Sequence, residues 1–376
     1  MKPLFTFLIA LSLLISCKRK DPKPIQNEWI YVTLSDREVH AFNAANGREV
    51  WQSATQKSVA TNPVVNNGQV SVFNMDGKLI QFDAKTGIRK NEIQLITDYV
   101  LNVPGDGFLL AHETLYIGGK YESILAYNIR TGQSKWQLRY GWNSVTEDPV
   151  LVGNTLYYAA MSKLYAVNSE TGAIRWQVDQ LAQHTRKPFY YQGMVYLATS
   201  HYPVGKLFAF DAATGIKKWE SSEVDTGTTL TAHDGLLFIG SEKTGRFCAL
   251  DAKTGQIRWN QATPKISVSS NAYYANNLIY VGGFENTLYA FDAQTGTLKW
   301  HSTDQGSSAG NFSIVVANGV LYTLGQKLRA INPQNGVELW SSAETPGQFY
   351  GVSTLIVTDS NQKNHYSAQS GMQEVQ

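Results

Sequence analysis

Short runs of alternating apolar and polar residues, four to a unit, recur along most of the chain. In one unit they predict strands at Asn271–Ala275, Leu278–Gly282, Thr287–Asp292 and Thr297–His301. Val, Ile, Tyr and Phe are frequent in these runs, as half-buried strands require. No segment after Asn27 carries a helical stripe of apolar residues. The pattern therefore predicts an all-β chain.

One sequence motif marks each unit, and its clearest copy, residues 290–300, reads AFDAQTGTLKW. The eight copies are centred on Gly47, Gly87, Gly132, Gly172, Gly215, Gly255, Gly296 and Gly336. Successive glycines are 40, 45, 40, 43, 40, 41 and 40 residues apart. A period of this length, with four short strands per unit, is typical of a β-propeller. We therefore expect eight blades, each a four-stranded antiparallel sheet.

The Asp-x-x-Thr-Gly step is predicted to be the hairpin turn between the third and fourth strands. Such a loop is usually built on a type I turn and closed by a residue with positive φ, which glycine adopts without a Cβ clash. An Asp or Asn four residues before the glycine bonds the amides of the turn. We therefore interpret these residues as turn caps and not as catalytic carboxylates: Asn43, Asp83, Asn128, Asn168, Asp211, Asp251, Asp292 and Asn332.

A small residue and a tryptophan flank the turn and become neighbours across the hairpin. The tryptophans, which we expect to dock between blades, are Trp51, Trp136, Trp176, Trp219, Trp259, Trp300 and Trp340. Their partners are Ala41, Ala126, Ala166, Ala209, Ala249, Ala290 and Ala330. The unit around Gly87 departs at both positions, with Gln81 and Asn91. We expect the interface that follows this blade to be the least apolar of the ring.

The two ends of the chain are predicted to close the ring. The first unit has Trp29–Thr33, Val39–Asn43 and Arg48–Gln52 but no innermost strand before them. Gly351–Asp359, after the last unit, reads as a lone innermost strand. Placed in the first blade, it protects an open edge. His365–Ala368 is a further candidate strand of the same blade.

The amino terminus resembles a bacterial lipoprotein signal. The apolar run Leu4–Ile15 is too short for a bilayer, which needs about 20 residues, but it fits a signal peptide. It leads to a lipobox-like sequence with lipidation expected at Cys17; a plain secretory signal is the alternative. The predicted division is a signal peptide at 1–16, a lipid-anchored tether at 17–27 and a propeller at 28–376. This places the protein at the outer membrane, with the propeller in the periplasm or at the cell surface.

Charge and cysteine content exclude two kinds of site. Cleavage before Cys17 removes Lys2 alone among charged residues, so the mature side chains sum to 31 − 30, or +1. Near-neutrality without a basic block argues against a nucleic-acid partner. With Cys17 acylated, Cys248 has no disulfide partner, and we interpret it as a buried packing residue.

The repeated residues resemble the tryptophan-docking motif of the pyrroloquinoline quinone (PQQ) propeller repeat, Ala-x-Asp-x-x-Thr-Gly-x-x-x-Trp. The resemblance covers residues 29 to about 358. It implies an eight-bladed propeller in which each tryptophan docks between its own blade and the next. The family includes PQQ-dependent alcohol and sugar dehydrogenases, and also BamB, a lipoprotein of the outer-membrane barrel-assembly machine that binds no quinone.

The sequence gives little support for catalysis. A quinone site needs cations for three carboxylates, oxygen ligands for Ca²⁺ and a catalytic Asp. No spacing selects Arg139, Arg186, Lys187, Glu147 or Asp148 for these roles, and there is no Cys-Cys pair. The seven histidines are scattered, so no metal site is predicted. We expect no catalytic residue and no cofactor, with PQQ and Ca²⁺ as the alternative.

The candidate binding face is the end of the propeller that carries the loops between blades. Its candidate partner or ligand residues are Tyr140, Trp142, Arg186, Tyr202 and Phe284. The first hypothesis is a monomeric, non-enzymatic scaffold that binds protein partners at the cell envelope, including outer-membrane assembly machinery. A quinoprotein dehydrogenase and a carbohydrate-binding propeller of an envelope uptake system are the alternatives.

Overall fold

The protein is described from a computed structural model. The structure describes residues 28–34, 36–59, 63–95, 108–111, 113–119, 123–139, 148–160, 162–179, 181, 185–199, 205–224, 230–241, 246–262, 272–283, 287–303, 313–325, 327–343, 355–358 and 363–366. Every regular element in these ranges is a β-strand. In the same ranges, no helix is long and apolar enough to cross a membrane.

The strands form eight antiparallel sheets, which confirms the predicted eight-bladed propeller. Blade 1 holds β1 (Trp29–Thr33), β2 (Glu38–Asn43) and β3 (Glu49–Ala54), joined by β32 (Leu355–Thr358) and β33 (Asn364–Tyr366). Each of blades 2 to 8 is four strands consecutive in the chain.

The strands of blades 2 to 8 follow in chain order. Blades 2 to 4 are β4 (Val64–Asn66), β5 (Gln69–Phe73), β6 (Lys78–Asp83), β7 (Arg89–Gln94); β8 (Phe108–Ala111), β9 (Thr114–Gly119), β10 (Ser123–Asn128), β11 (Ser134–Arg139); β12 (Val150–Val152), β13 (Thr155–Ala160), β14 (Lys163–Asn168), β15 (Ile174–Val178). Blades 5 and 6 are β16 (Phe189–Tyr191), β17 (Met194–Thr199), β18 (Lys206–Asp211), β19 (Lys217–Ser221); β20 (Thr231–His233), β21 (Leu236–Ser241), β22 (Arg246–Asp251), β23 (Ile257–Ala262). Blades 7 and 8 are β24 (Tyr273–Ala275), β25 (Leu278–Gly282), β26 (Thr287–Asp292), β27 (Leu298–Thr303); β28 (Ser313–Ala317), β29 (Val320–Leu324), β30 (Leu328–Ile331), β31 (Glu338–Ser341).

Blade 1 is closed by both ends of the chain, as predicted. Strand β32 pairs antiparallel with β1, and Trp29 lies opposite Thr358. Strand β33 pairs with β32 and makes blade 1 the one five-stranded sheet among the described strands. The Asn364 amide also donates to the Val65 carbonyl of blade 2 at 2.7 Å. The innermost edge of blade 1 is therefore covered by the end of the chain.

The turn between the third and fourth strands has the predicted hydrogen bonds. In blade 7 the Gly296 N–H donates to the Asp292 carbonyl at 2.8 Å, and Gly296 has φ +72°. The Asp292 carboxylate accepts from the amides of Gln294 and Thr295 and from the Thr295 hydroxyl, at 2.9 to 3.2 Å. These bonds, led by that of the Thr295 amide, lower the pKa of Asp292. The same backbone bond closes this turn in all eight blades.

Adjacent blades are joined by tryptophans that reach into the turn of the next blade. The Trp219 indole N–H of blade 5 donates to the Ala252 carbonyl of blade 6 at 3.0 Å, and the Tyr196 hydroxyl donates to the same oxygen at 3.0 Å. A Cβ on Gly255 would lie 2.6 Å from the Trp219 ring. Seven interfaces share this indole bond: Trp51 to Ala84, Trp136 to Ser169, Trp176 to Ala212, Trp219 to Ala252, Trp259 to Ala293, Trp300 to Pro333 and Trp340 to Ala44.

The small residue explains how the indole fits. Ala209 lies directly opposite Trp219 in the sheet and is fully buried, and Tyr196 lies opposite Ala209 on the other side. The Tyr196 and Trp219 rings are tilted by 47° with centroids 5.9 Å apart. A larger residue at the alanine would push these two rings apart. The sequence pattern alone did not predict this role of Tyr196.

The interface between blades 2 and 3 is built differently. Gln81 and Asn91 lie opposite each other and bond at 3.3 Å, and Gln81 also bonds Ser71 at 3.2 Å. The expectation that this interface is the least apolar of the ring stays a prediction, but the interface does have an apolar part. Ile93 and Leu95 approach the turn of blade 3 in place of an indole. An apolar cluster then spans both blades: Phe73, Leu79, Leu95, Leu110, Leu115 and Ile117, with Ile93 and Ile129 against it.

Replacement of a turn glycine distinguishes the two kinds of interface. Gly255→Ala and Gly132→Ala both put a Cβ at positive φ (+74° and +70°), so they share that strain. Only Gly255→Ala also drives a Cβ into an indole, since the nearest atom to a Cβ on Gly132 is 3.6 Å away. We expect Gly255→Ala to lower the free energy of unfolding by about 1–3 kcal/mol more than Gly132→Ala. Denaturant titration of both variants measures the difference. Equal losses would show that the indole contact is not tight.

Truncation of one indole tests its part in holding the ring. Trp219→Ala removes a hydrogen-bonded ring from the blade 5–6 interface, and we expect it to destabilise the fold by about 3 kcal/mol. Asn91→Ala is the matched control, because Asn91 stands at the same repeat position but is exposed. We expect it to change stability by about 0.5 kcal/mol or less. Thermal melts of both variants give the answer, and a Trp219→Ala protein that melts with the parent would refute the interpretation.

Candidate partner-binding face

The two ends of the ring differ in construction. At one end, the turn face, the two hairpin turns of a blade bond each other: the Ala252 N–H donates to the Gly235 carbonyl at 2.8 Å. At the other end, the connection face, the loop between second and third strands bonds the start of the inter-blade segment. There, for example, the Thr55 N–H donates to the Arg37 carbonyl at 2.8 Å. The repeated motif therefore builds the turn face, and the connection face is the candidate binding face.

The candidate binding residues lie mostly beyond the described ranges. Cys17, Tyr140, Trp142, Tyr202 and Phe284 fall outside the described residues. The seven docking tryptophans are described, and they lie between blades, where their indoles bond the turn face of the next blade.

Arg186 is described and has an exposed side chain on the connection face. Its backbone N–H donates to the Ala198 carbonyl at 2.8 Å, which fixes its position at the start of blade 5. Next to it, the Lys187 ammonium lies 3.3 Å from the Asp148 carboxylate of blade 4. This ion pair is largely shielded, with Lys187 15% and Asp148 27% exposed. Blades 4 and 5 are thus joined by an ion pair at the residue that follows Arg186, whose exposed guanidinium can bind a carboxylate.

The described inner strands of the central channel do not fit a quinone. The innermost strands β4, β8, β12, β16, β20, β24, β28 and β32, together with β33, contain no Lys, Arg, Asp or Glu. His233 and His365 are their only side chains that can carry positive charge. Three carboxylates buried on the axis would need cationic partners, and Ca²⁺ would need carboxylate oxygens. The described inner strands supply neither.

Aromatic residues cluster on the inner strands of blades 5, 6 and 7 at the turn face. The His233 and Tyr274 rings, on the inner strands of blades 6 and 7, stack with centroids 3.5 Å apart at 15°. In blade 5 the Tyr191 hydroxyl accepts the Gly235 N–H at 3.0 Å. The tyrosines at the first strands, Phe189–Tyr191 and Tyr273–Ala275, were the signal in the sequence for this group. Each ring has a packing or hydrogen-bonding partner, so the group braces the inner turns.

Exposed apolar side chains do not single out the turn face as a partner surface. The large ones among the described residues all follow a turn glycine at the start of the outermost strand: Val50, Ile88, Ile174, Ile216, Leu298 and Val337. They belong to six different blades and stand singly around the rim. Scattered apolar residues are normal on a soluble surface, whereas a contiguous patch marks a binding site.

A cluster of titratable residues at the connection face of blade 1 was missed in the sequence. The His40 ring is 1% exposed, and its Nε2 lies 2.8 Å from the Asp36 carboxylate and 4.0 Å from that of Glu38. Its Nδ1 lies 2.6 Å from the Glu49 carboxylate on β3. Burial opposes a charge on the ring, but the bonds to Asp36 and Glu49 outweigh it and raise the pKa of His40. The missed signal is Asp-x-Glu-x-His, which puts Glu38 and His40 on one side of a strand.

Comparison with known proteins agrees with the eight-bladed propeller and its repeated motif. The family model described as "Outer membrane protein assembly factor BamB" matches residues 18–160, 120–232 and 221–364. BamB of Moranella endobia (strain PCIT) is 27% identical over 208 residues, which are 50% of this chain and 52% of that protein, so the match spans about half of that relative's length. Tetrathionate hydrolase of Acidithiobacillus ferrooxidans is 24% identical over 361 residues, 87% of this chain and 67% of that protein.

A solved structure shows the same fold. The crystal structure of BamB from Moraxella catarrhalis superposes with a TM-score of 0.62 at 17% identity, over 81% of this chain and 92% of that one. The family model covers nearly all of the predicted propeller, including every turn glycine from Gly47 to Gly336. The chain therefore belongs to the family of the outer membrane protein assembly factor BamB.

Proposed function

We propose that this protein is a non-enzymatic binding propeller that is anchored at the bacterial outer membrane and takes part in outer-membrane protein assembly. The observation that carries the proposal is the match of the BamB family model along residues 18–364. The inner strands add to it, because they lack the charged residues that a quinone and its Ca²⁺ would need.

The connection face is the partner-binding surface in this proposal. The turn face uses its polar groups internally, in the bonds of the eight motif turns and the seven indoles. Loops of variable length on a rigid scaffold are where binding residues concentrate. Arg186 is the described residue that best fits this role, since it is exposed, its backbone is fixed and its guanidinium binds carboxylates in a bidentate manner. Tyr140, Trp142, Tyr202 and Phe284 belong to the same proposed surface.

The membrane is reached through the lipid anchor proposed at Cys17. The first described residue, Glu28, lies on the turn face, where its carbonyl accepts the Ala44 N–H at 3.0 Å. The tether of residues 17–27, if extended at about 3.3–3.6 Å per residue, reaches roughly 36–40 Å. An anchor that leaves from the turn face lets the connection face point away from the bilayer, toward a protein partner.

Site-specific photocrosslinking tests which face binds. A photoreactive amino acid at Arg186 is expected to give an adduct with a component of the outer-membrane assembly machinery in intact cells. Lys253 is the matched control, because it is exposed in a motif turn of blade 6 on the turn face. We expect it to give no such adduct. Mass spectrometry identifies the partner.

Two outcomes would contradict the proposal. Adducts with the assembly machinery from Lys253 and not from Arg186 would assign binding to the turn face. Saturable binding of PQQ in the presence of Ca²⁺, with dye-linked oxidation of an alcohol or sugar, would show that the protein is a dehydrogenase.

Replacement of Cys17 tests the anchor separately. Cys17→Ser removes the sulfur that carries the lipid, and we expect the protein to leave the outer-membrane fraction and to incorporate no labelled palmitate. Because Cys17 precedes the first strand, at Trp29, the melting temperature of the propeller is expected to stay unchanged. A Cys17→Ser protein that still sediments with membranes after a high-salt wash would disprove the lipid anchor.

A further inference from the structure

The blades of this propeller share a charge pattern at the start of the third strand. The position lies three residues before the alanine that faces the docking tryptophan, or before Gln81 in blade 2. Five blades carry a cation there: Lys78, Lys163, Lys206, Arg246 and Lys327. In blade 2 Lys78 lies 2.6 Å from the Glu92 carboxylate, which is also bound by Arg89 at 2.5 Å. In these interactions the carboxylate is neutralised by cations of its own blade.

Blade 5 repeats this arrangement. Lys206 and Lys217 lie 2.9 Å and 2.5 Å from the Glu220 carboxylate. Lys206 and Lys217 occupy the same repeat positions as Lys78 and Arg89 of blade 2. Both blades thus place two cations around one carboxylate, and the hydrogen bonds of Lys217 and Lys206 lower the pKa of Glu220.

Blade 1 reverses the sign at both cation positions. Glu38 stands where blade 2 has Lys78, and Glu49 stands where blade 2 has Arg89. Between them lies His40, and Asp36 of the preceding loop completes the group. Within the described part of the chain, His40 is the only basic side chain paired with these carboxylates. Three carboxylates face one imidazole, so the group carries net negative charge in either protonation state of the ring.

The geometry matches a metal site with three protein ligands. The ligand atoms of Asp36, Glu38 and His40 lie within 4.8 Å of one another. His40 is buried and fixed, whereas Asp36 and Glu38 are 19% and 29% exposed, so their carboxylates have room to close on an ion. Zn²⁺ binds His nitrogen and carboxylate oxygen at about 2.0–2.2 Å in a tetrahedral arrangement.

The second nitrogen of His40 is already held as in known metal sites. A metal-ligating histidine usually donates its other ring N–H to a carboxylate, which fixes the tautomer and the ring orientation. The Glu49 carboxylate is 2.6 Å from Nδ1, on the side of the ring opposite Asp36 and Glu38. Nε2 therefore points at the two carboxylates with the orientation that coordination needs.

We propose that Asp36, Glu38 and His40 bind a divalent transition-metal ion of the zinc class, with Glu49 as the positioning residue for the imidazole. The ion supplies the charge that Lys and Arg supply in blades 2 and 5, and any proton on the His40 Nε2 is released to the solvent when the bond to the metal forms. A nitrogen ligand beside two carboxylates favours Zn²⁺ over Ca²⁺ or Mg²⁺, which take oxygen ligands. The bound ion ties the β1–β2 loop to β2 at the connection face.

Calorimetric titration of the full-length, untagged protein with Zn²⁺ tests the proposal. After treatment with a chelator, the parent is expected to bind one ion per chain at this site. His40→Gln is expected to weaken binding by about 100-fold, and Glu49→Gln by about 10–100-fold. Glu92→Gln is the matched control, since it removes a carboxylate from blade 2, and it is expected to bind as the parent does.

A charge-restoring variant separates metal binding from simple damage to the fold. Glu38→Lys installs the cation that five other blades have, so we expect it to abolish Zn²⁺ binding while raising the metal-free melting temperature. Zn²⁺ should raise the melting temperature of the parent and leave that of Glu38→Lys unchanged. A parent that binds no Zn²⁺, or whose binding survives both His40→Gln and Glu38→Lys, would overturn the proposal.

Discussion

The contact of one indole with the turn of the next blade is the interaction on which the ring depends. Each such indole does two things at once: its ring covers a glycine, and its N–H satisfies a carbonyl that the turn leaves free. A buried carbonyl without a partner is costly, so the bond ties the turn of one blade to the presence of its neighbour. Trp340 makes the same contact with Ala44 and carries this dependence across the point where the ring closes.

Because the indoles and the motif turns lie on one face, the two faces of the molecule differ in which side chains remain free to bind a partner. On the turn face, side chains such as Asp292 are committed to their own backbone. The repeated turn motif does not reach the connection face, where the blades share little beyond the cation that five of them carry at the start of the third strand. The exposed Arg186, the shielded Asp148–Lys187 pair and the acidic group around His40 are all found there. The connection face is therefore the end of the propeller at which we propose binding.

Much of the fold was predictable because the repeated residues determine their turns and strand pairs locally. The turn glycines, the capping Asp and Asn residues and the pairing of Ala209 with Trp219 all follow from local sequence. Strand β32 is predictable because the first repeat has no innermost strand of its own. The second donor, the Tyr196 hydroxyl, was not predictable, because its partner carbonyl is distant in sequence and belongs to another blade. Ile93 was missed for the same reason: its role appears only against the turn of blade 3.

The candidate site was harder to predict than the fold. Spacing along one strand brings Glu38 and His40 together, but Asp36 joins them through the shape of a loop and Glu49 through the register of the hairpin. This site contains a single histidine, so the spacing of histidines in the sequence does not indicate it. The acidic group of blade 1 stands out only against the other seven blades, because Glu38 occupies a position at which five of them have Lys or Arg.

The pairing of β32 with β1 also sets the order in which the molecule can be completed. Trp29 and Thr358, which lie opposite each other, are separated by nearly the whole length of the propeller. Until the last strand arrives, β1 keeps an unpaired edge, which is an open template for another strand. A contact of such long range forms late, because its loop-closure entropy is paid before any reward. The amino-terminal blade is therefore completed only when the carboxyl-terminal strand is in place.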